Sequence, residues 1–201
     1  MTSKSIVLDI EANGFNPDKI WCVVTLDINT KTSTQYVNNL AQLKTDLLDV
    51  TEIILGYDIP VLERLLGIDF SNIKLTDTLV LSRLADPARQ GGHSLASWGQ
   101  RLGYPKGKFT DFSYYSDEML EYCITDTEVN LFTYRKLLKE VKDFSVESIQ
   151  LEMDVHKIIA EQTRSGWLLD EKKAFILLAE LKESMMQKLQ SVNALHLYQY
   201  G

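Results

Sequence analysis

Two carboxylates near the start of the chain are the first residues whose types and spacing could do chemistry. Asp9 and Glu11 end an apolar, strand-like segment, and alternate residues of a strand point to the same face. The two carboxylates therefore lie side by side at the carboxyl end of this strand. Such like charges are costly unless a cation lies between them, and Mg2+ or Mn2+ prefers oxygen ligands. The alternative is a strand that simply emerges into solvent.

Two later positions add acidic groups. Asp58 stands between an apolar run and a helical segment, where an aspartate often caps the helix. Tyr122 and Asp126 are four residues apart in a predicted helix, so their side chains share one face. Each signal alone fits an ordinary role, a helix cap or a wet helix face. Their order along the chain forms one pattern.

The elements that must position these residues change from strands to helices along the chain. Strands are predicted over 5–11, 20–28, 32–37, 52–56 and 72–77, and helices over 40–48, 61–66, 78–84, 94–102 and 116–141. This order predicts an α/β or α+β domain of about 140 residues. Of the two we favour the α/β class, with a mixed, mostly antiparallel sheet and helices on its faces. The helix over 40–48 carries a predicted apolar stripe of Leu40, Leu43, Leu47 and Leu48.

Two amphipathic helices are predicted beyond this domain, over 146–163 and from Asp170 onward. The second has an apolar stripe of Ala174, Leu177, Leu178, Leu181, Met185 and Leu189. Two such helices make a poor independent core. We therefore expect them to pack on the first domain or to begin a further one.

Composition narrows the class of protein. The formal net charge of −7 argues against strong nucleic-acid binding unless bound metals reverse the local sign. Cys22 and Cys123 form no C-x-x-C pair, so reduced, partly buried thiols are expected. No apolar run has the length of a membrane span, and the N-terminus lacks a signal-peptide layout. A cytoplasmic protein without a membrane partner is the expectation.

Longer stretches around these residues narrow the pattern to one family. They are Asp9–Gly14 (DIEANG), Asp77–Leu84 (DTLVLSRL), His93–Gly103 (HSLASWGQRLG) and Gly166–Asp170 (GWLLD). With Tyr122 to Asp126, they resemble the DnaQ-like exonucleases of the ribonuclease H-like fold, and most narrowly the proofreading domain of podovirus-type family A DNA polymerases. The resemblance covers nearly the whole chain. It implies an exonuclease domain over 1–144 and, over 145–201, a helical tail similar to the start of the polymerase part.

This resemblance implies a metal-dependent 3'-5' exodeoxyribonuclease of the subgroup with three acidic motifs and a tyrosine. In it, Asp9, Glu11 and Asp126 hold one Mg2+ or Mn2+, and Asp9 is shared with a second ion held by Asp58 through water. Tyr122 orients the attacking water. The implied partners are the 3' end of single-stranded or frayed DNA and a polymerase domain in the same or a separate chain. The implied location is the cytoplasm of the host cell. The chain itself could be a fragment, an engineered variant or one half of a naturally split polymerase, and the sequence leaves these alternatives open.

The second acidic motif departs from the family. The family has an Asn, often after a His, a few residues before the Asp, whereas here Ile53–Gly56 leads directly into Tyr57 and Asp58. Such a shortening could misplace Asp58 beyond the tolerance of catalysis. The alternative is therefore a catalytically impaired module that binds DNA or docks on a polymerase. A stand-alone exoribonuclease of the same fold also stays open, since no residue decides how a 2'-hydroxyl is read.

Four residues are candidates for contact with the nucleic-acid backbone. His93 lies in a loop, and Arg101, Lys106 and Lys108 form a modest basic group. Their ordinary alternatives are a structural hydrogen bond for the histidine and a solvated loop for the basic group.

Overall fold

The computed structural model describes residues 4–14, 16–56, 58–105 and 107–199, with side chains as far as Asn193. The chain divides into two compact units, Met1–Ile158 and Ile159–Gly201. This division falls inside a helix (Val146–Ser165) and not at residue 144. The boundary between an exonuclease domain and a helical tail at residue 144 therefore stays a prediction. In the described part of the chain, none of the helices combines the length and apolar composition of a membrane span.

The first unit is built on a five-stranded sheet in the order β3-β2-β1-β4-β5. Its strands are β1 (Lys4–Ala12), β2 (Ile20–Asp27), β3 (Ser33–Tyr36), β4 (Val50–Leu55) and β5 (Lys74–Asp77). The helices of the chain are α1 (Leu40–Asp46), α2 (Ile59–Leu66), α3 (Thr78–Ala85), α4 (Leu95–Leu102), α5 (Asp117–Glu140), α6 (Val146–Ser165) and α7 (Glu171–Gln199). The α/β class with a mixed sheet is thus confirmed.

The sheet is not mostly antiparallel, and this part of the prediction was wrong. β2 pairs antiparallel with β1 and β3, whereas β4 pairs parallel with β1 and β5. The reason lies in the connections. A tight turn joins β2 to β3, but α1 precedes β4 and α2 joins β4 to β5, and such helical crossovers join parallel strands.

β1 lies at the centre of the sheet and is covered on both faces. Ile6, Leu8 and Ile10 belong to the core cluster that includes residues of α1 and α2. Val7 belongs to the cluster that includes residues of α3, α4 and α5. The alternation predicted for this strand is therefore confirmed, and the face that begins with Val7 continues toward Asp9 beneath the helices.

A polar network around Glu52 joins three strands on this same face. Its carboxylate accepts hydrogen bonds from Ser5 Oγ at 3.4 Å, Lys74 Nζ at 2.8 Å and Thr76 Oγ1 at 2.9 Å. Burial, and then the charge and hydrogen bond of Glu52, raise the pKa of Tyr134 to about 12. Ser5 and Lys74 are the residues paired with Glu52 in the neighbouring strands. The network is thus made across adjacent positions of the sheet.

The long helix α5 begins where its sequence predicts. Ser116 Oγ accepts a hydrogen bond from the backbone N–H of Met119 at 3.1 Å, and Asp117 and Glu118 occupy the first turn. A hydroxyl cap and acidic residues both stabilise this end of a helix. The sheet-facing side of α5 is buried, including Met119 and Cys123.

Two predicted apolar stripes fare differently in the structure. Leu43 of α1 and Leu47, its C-cap, are buried, but Leu48, which lies beyond the end of the helix at Asp46, is 85% exposed. Placing Leu48 in the stripe was therefore wrong. In the second unit, Asp170 Oδ1 accepts from the backbone N–H of Lys173 at 3.0 Å, as a cap of α7 should. The leucines and methionine of the predicted α7 stripe are all exposed.

The two leucines of the α1 region provide a matched test of the core. We expect Leu43→Ala to lower the free energy of unfolding by about 2 to 5 kcal/mol, because Leu43 is fully buried and its loss leaves a cavity. Leu48→Ala should change it by less than about 0.5 kcal/mol. Urea unfolding of both variants measures the difference. Equal effects would contradict the assigned position of α1.

Candidate metal centre

Asp9 and Glu11 lie in the part of β1 that extends beyond its pairing with β4. On one side, Asp9 and Glu11 pair with Val24 and Cys22 of β2. On the other side, the pairing with β4 ends at Val7. Beyond this point, β1 has a strand on only one edge, so its carboxyl end borders the connection from β4 to α2. Glu11 is buried, whereas Asp9 is partly exposed.

Helix α5 brings a third group to the acidic pair. The Cys123 thiol donates a hydrogen bond to Asp9 Oδ2 at 3.4 Å. Ligand atoms of Asp9, Glu11 and Cys123 all lie within 4.8 Å of one another. In the part of the chain that the structure describes, this is the one such cluster of three or more His, Cys, Asp or Glu side chains.

Cys123 is the member of this cluster that the sequence reasoning missed. Its thiol pKa is raised by a hydrogen bond with Cys22, by burial and by the charges of Asp9 and Glu11. The thiol is therefore protonated and can donate to the carboxylate beside it. The available signal was its position, because Cys123 directly follows Tyr122, but its apolar character placed it with the core of the helix. Both cysteines are fully buried rather than partly buried.

Asp126 and Tyr122 lie on either side of Cys123 along α5. Asp126 is 3% exposed and so faces the interior, which excludes the wet helix face as its surroundings. Tyr122 is partly exposed, and its ring centroid lies 5.7 Å from that of Phe109 and 6.4 Å from that of Phe112. The loop before α5 therefore holds the tyrosine ring. The contacts with Phe109 and Phe112 support one side of the Tyr122 ring, which carries the hydroxyl.

Asp58 occupies the N-cap position of α2 without acting as a side-chain cap. Its backbone carbonyl accepts hydrogen bonds from the N–H groups of Val61 and Leu62, at 3.1 and 3.2 Å. Its carboxylate makes no capping hydrogen bond. Neither Asp58 nor Asp126 has its carboxylate within the close cluster formed by Asp9, Glu11 and Cys123. The close cluster thus contains two of the four predicted acidic ligands.

His93 is held by local hydrogen bonds. Its Nδ1 lies 2.8 Å from Ser82 Oγ, and its Nε2 lies 3.4 Å from the carbonyl oxygen of Pro87. Ser82 Oγ also accepts a hydrogen bond from Trp98 Nε1 at 3.0 Å. These contacts fit a structural hydrogen-bonding role for His93, and a contact between His93 and phosphate stays a prediction.

Arg101 and Lys108, two members of the predicted basic group, have different surroundings in the structure. The Arg101 guanidinium donates to the carbonyl oxygen of Gly92 at 2.6 Å and lies over the ring of Trp98. It therefore braces the loop before α4. Lys108 is exposed, and Lys106 lies outside the described residues.

Comparison with known proteins gives relatives among phage polymerases. No family model matches the chain. The DNA-directed DNA polymerase of Escherichia phage T7 is 25% identical over 92% of this chain, and that of Enterobacteria phage T3 is 26% identical over 67%. The matches cover 36% and 24% of these polymerases. The chain therefore spans about a third of the length of T7 polymerase, and the T3 match covers about a quarter of that enzyme.

Solved structures identify the fold. Brucella melitensis NrnC aligns over 83% of this chain and 88% of its own, with 18% identity and a TM-score of 0.60. Escherichia coli RNase D, an exoribonuclease, aligns over 83% of this chain and 46% of its own, with 18% identity and a TM-score of 0.58. The chain is a homologue of phage DNA polymerases with a DnaQ-like fold. The POL domain of M. smegmatis Pol1 matches 92% of this chain and 32% of its own, with 13% identity and a TM-score of 0.63.

The donor atoms of this DnaQ-like chain fit a divalent cation. Two carboxylates supply the oxygen ligands that Mg2+ and Mn2+ favour, and their mutual repulsion falls when a cation binds. The Cys123 thiol is a softer donor, which suits Mg2+ less well than the later transition metals. Asp9 and Glu11 are thus the ligands that the local geometry supports best.

Charge removal at Glu11 tests this assignment. We expect Glu11→Gln to stabilise the metal-free protein by about 1 kcal/mol, because it removes one of two neighbouring like charges. Mn2+ should stabilise the unmodified chain by about 2.7 kcal/mol at a hundredfold excess over its Kd, and Glu11→Gln much less. Thermal unfolding in EDTA and in Mn2+ measures both effects.

The matched control is Glu121→Gln, which changes an exposed glutamate of α5 by the same chemistry. It should respond to Mn2+ as the unmodified chain does. Equal stabilisation of Glu11→Gln by Mn2+ would contradict a metal site at Glu11.

Proposed function

We propose that this chain is a metal-dependent 3'-5' exodeoxyribonuclease domain, the proofreading part of a phage-type DNA polymerase. One observation carries the proposal. The carboxyl end of β1 presents Asp9 and Glu11 to the helix that carries Tyr122 and Asp126, in a DnaQ-like fold and in a homologue of phage polymerases. An NrnC structure with bound Mg2+ has the same fold, at 16% identity and a TM-score of 0.57.

The proposed ligands are those that the resemblance to the family implies. Asp9, Glu11 and Asp126 would hold one ion, and Asp58 would hold a second, shared with Asp9, through water. Mg2+ or Mn2+ bound there would activate a water molecule and stabilise charge on the scissile phosphate and the leaving 3' oxygen. The NrnC likeness and the close acidic cluster support a divalent metal. The number of ions is part of the proposal.

Tyr122 is the proposed positioning group for the attacking water. Its ring packs beside Phe109 and Phe112, so its hydroxyl has a restricted range of positions. A group held in this way loses little freedom when it orients a reactant. Lys108, exposed in the loop before α5, stays a proposed contact for the DNA backbone, with Lys106.

The proposed substrate is the 3' end of single-stranded or frayed DNA, shortened one nucleotide at a time. Polymerase homology favours DNA over RNA. The likeness to RNase D, an exoribonuclease, makes RNA the comparison substrate. A polymerase domain in the same or a separate chain would supply the primer strand.

A second candidate function is a catalytically impaired module that binds DNA or docks on a polymerase. The shortened segment from Ile53 to Asp58 favours it, as does the position of Asp58 outside the close donor cluster. The neighbouring carboxylates of Asp9 and Glu11 oppose it, because a silent remnant has no chemical reason to retain their electrostatic cost.

The first test incubates the chain with 5'-labelled single-stranded DNA in Mg2+, Mn2+ or EDTA. We expect a ladder of products shortened from the 3' end, dependent on metal and absent from the Asp9→Ala, Glu11→Ala double variant. An Asp69→Ala variant, which removes an exposed carboxylate, should act like the unmodified chain. Labelled RNA in parallel decides between the two substrates.

The outcomes separate the two candidate functions. No ladder from folded protein that still gains stability from Mn2+ would favour the impaired module, with the metal site retained and the substrate misplaced. A ladder of equal intensity from the double variant would show that another site, or a contaminant, cleaves the DNA.

A second test concerns the Tyr122 hydroxyl. We expect Tyr122→Phe to lower kcat by about 100-fold, because the water loses its orienting hydrogen bond, and to leave KM nearly unchanged. Tyr114→Phe is the matched control, since Tyr114 is an exposed tyrosine of the loop before α5. Steady-state rates measure both. An unchanged kcat for Tyr122→Phe would remove the hydroxyl from the proposed mechanism.

A further inference from the structure

A shallow groove lies on the outer side of α5, away from the acidic cluster. Its volume is about 350 Å3, and it is lined by Leu102, Tyr104, Phe132, Arg135, Lys136 and Lys139. Cys123 and Asp126 are buried on the sheet-facing side of the same helix. At 3.6 residues per turn, the α5 residues of the groove lie on the opposite side of the helix from Cys123. The groove is therefore a separate surface from the metal centre.

Two aromatic rings form the apolar part of this groove. The ring centroids of Tyr104 and Phe132 lie 5.2 Å apart at 48°, and Tyr104 is 49% exposed. Gly103, which follows α4 as its C-cap, has a left-handed conformation, and the backbone N–H of Tyr104 donates to the carbonyl oxygen of Gly99 at 2.8 Å. This turn holds Tyr104 against α5. Partly exposed rings held in place suit the stacking of a planar group.

Three cations border the rings in a chain whose formal net charge is −7. Lys136 and Lys139 are exposed, and the Arg135 guanidinium is positioned by donation to the carbonyl oxygen of Ile28 at 3.3 Å. Glu140, the next residue on the helix, is engaged with Arg89 at 2.6 Å. The three positive charges therefore lie on one face of α5, and the Glu140 carboxylate that follows Lys139 is already paired with another cation.

We propose that this groove binds single-stranded DNA, with a base stacked on Tyr104 and Phe132 and phosphates at Arg135, Lys136 and Lys139. Cations beside aromatic stacking surfaces are the combination with which proteins hold single strands without reading their sequence. An acidic peptide would use the cations alone and leave the aromatic pair without a role. The choice of DNA rests on the proposed nuclease function, but the binding itself does not require catalysis.

The spacing along α5 relates the groove to the metal centre. Phe132 follows Asp126 by six residues and Lys139 follows it by thirteen, which correspond to about 9 and 20 Å along the helix. A strand with its 3' end at the acidic cluster must be several nucleotides long to reach the groove. A dinucleotide would occupy the metal centre alone, so the groove should improve binding only of longer strands.

Fluorescence anisotropy in EDTA tests the groove without cleavage. A labelled oligothymidylate should bind about tenfold more weakly to Tyr104→Ala, which loses one stacking surface. The Lys136→Glu, Lys139→Glu double variant should also bind more weakly, and the slope of log K against log salt should fall by about 1.4 if each lysine meets one phosphate. Lys44→Glu is the charge control, since Lys44 is an exposed lysine of α1, whose buried leucine packs on the other face of the sheet.

The outcomes separate this proposal from the nuclease proposal. The groove proposal would be overturned if the groove variants bound the oligothymidylate as well as the Lys44→Glu control does. It would also be overturned if these variants kept their DNA binding but lost binding of a labelled oligoglutamate. Hydrolysis of a dithymidylate in Mn2+ should be equal in the groove variants and the unmodified chain. If the unmodified chain hydrolyses nothing but binds DNA through the groove, the nuclease proposal fails and the groove proposal stands.

Discussion

The electrostatic cost of two neighbouring carboxylates at the end of β1, one buried and one partly exposed, is the constraint on which the rest of this structure depends. Asp9 and Glu11 share one face of a central strand, and α5 covers that face with Cys123 and Asp126. Hydrophobic packing of the neighbouring clusters must hold this arrangement, because the acidic groups oppose one another. Val7 and Leu8, both fully buried, secure the strand from its two sides just before the charges begin.

The sheet architecture explains why the charges can be held there. The antiparallel partner β2 supports β1 from Ile6 to Ala12 on one edge, whereas the parallel partner β4 stops pairing before Asp9. The carboxyl end of the strand thus combines a rigid edge with an open one. Rigid elements that end beside an opening are favourable places for a binding site, since the scaffold fixes the ligands and leaves room for a substrate.

Much of this could be predicted from the sequence because it depends on local pattern. The alternation along β1 and the Ser116 cap of α5 follow from strand and helix geometry. Leu48 could not be placed, because helix ends shift by a residue or two without a strong signal. Neither the partnership of Cys123 with Asp9 nor the groove at Tyr104 was foreseen. Both join residues far apart in the chain, and no local pattern encodes such a contact.

Glu52 has a consequence for how the chain tolerates changes in length. Its carboxylate bonds to the residues opposite it in β1 and β5, and a slip of one position would turn it to the other face of the sheet. The strands are thus locked in register up to Leu55. A deletion just after this point cannot be absorbed by sliding β4, so the loop before Asp58 must take up the whole difference. The length of the loop there therefore sets where Asp58 lies relative to the end of β1, while the sheet stays the same.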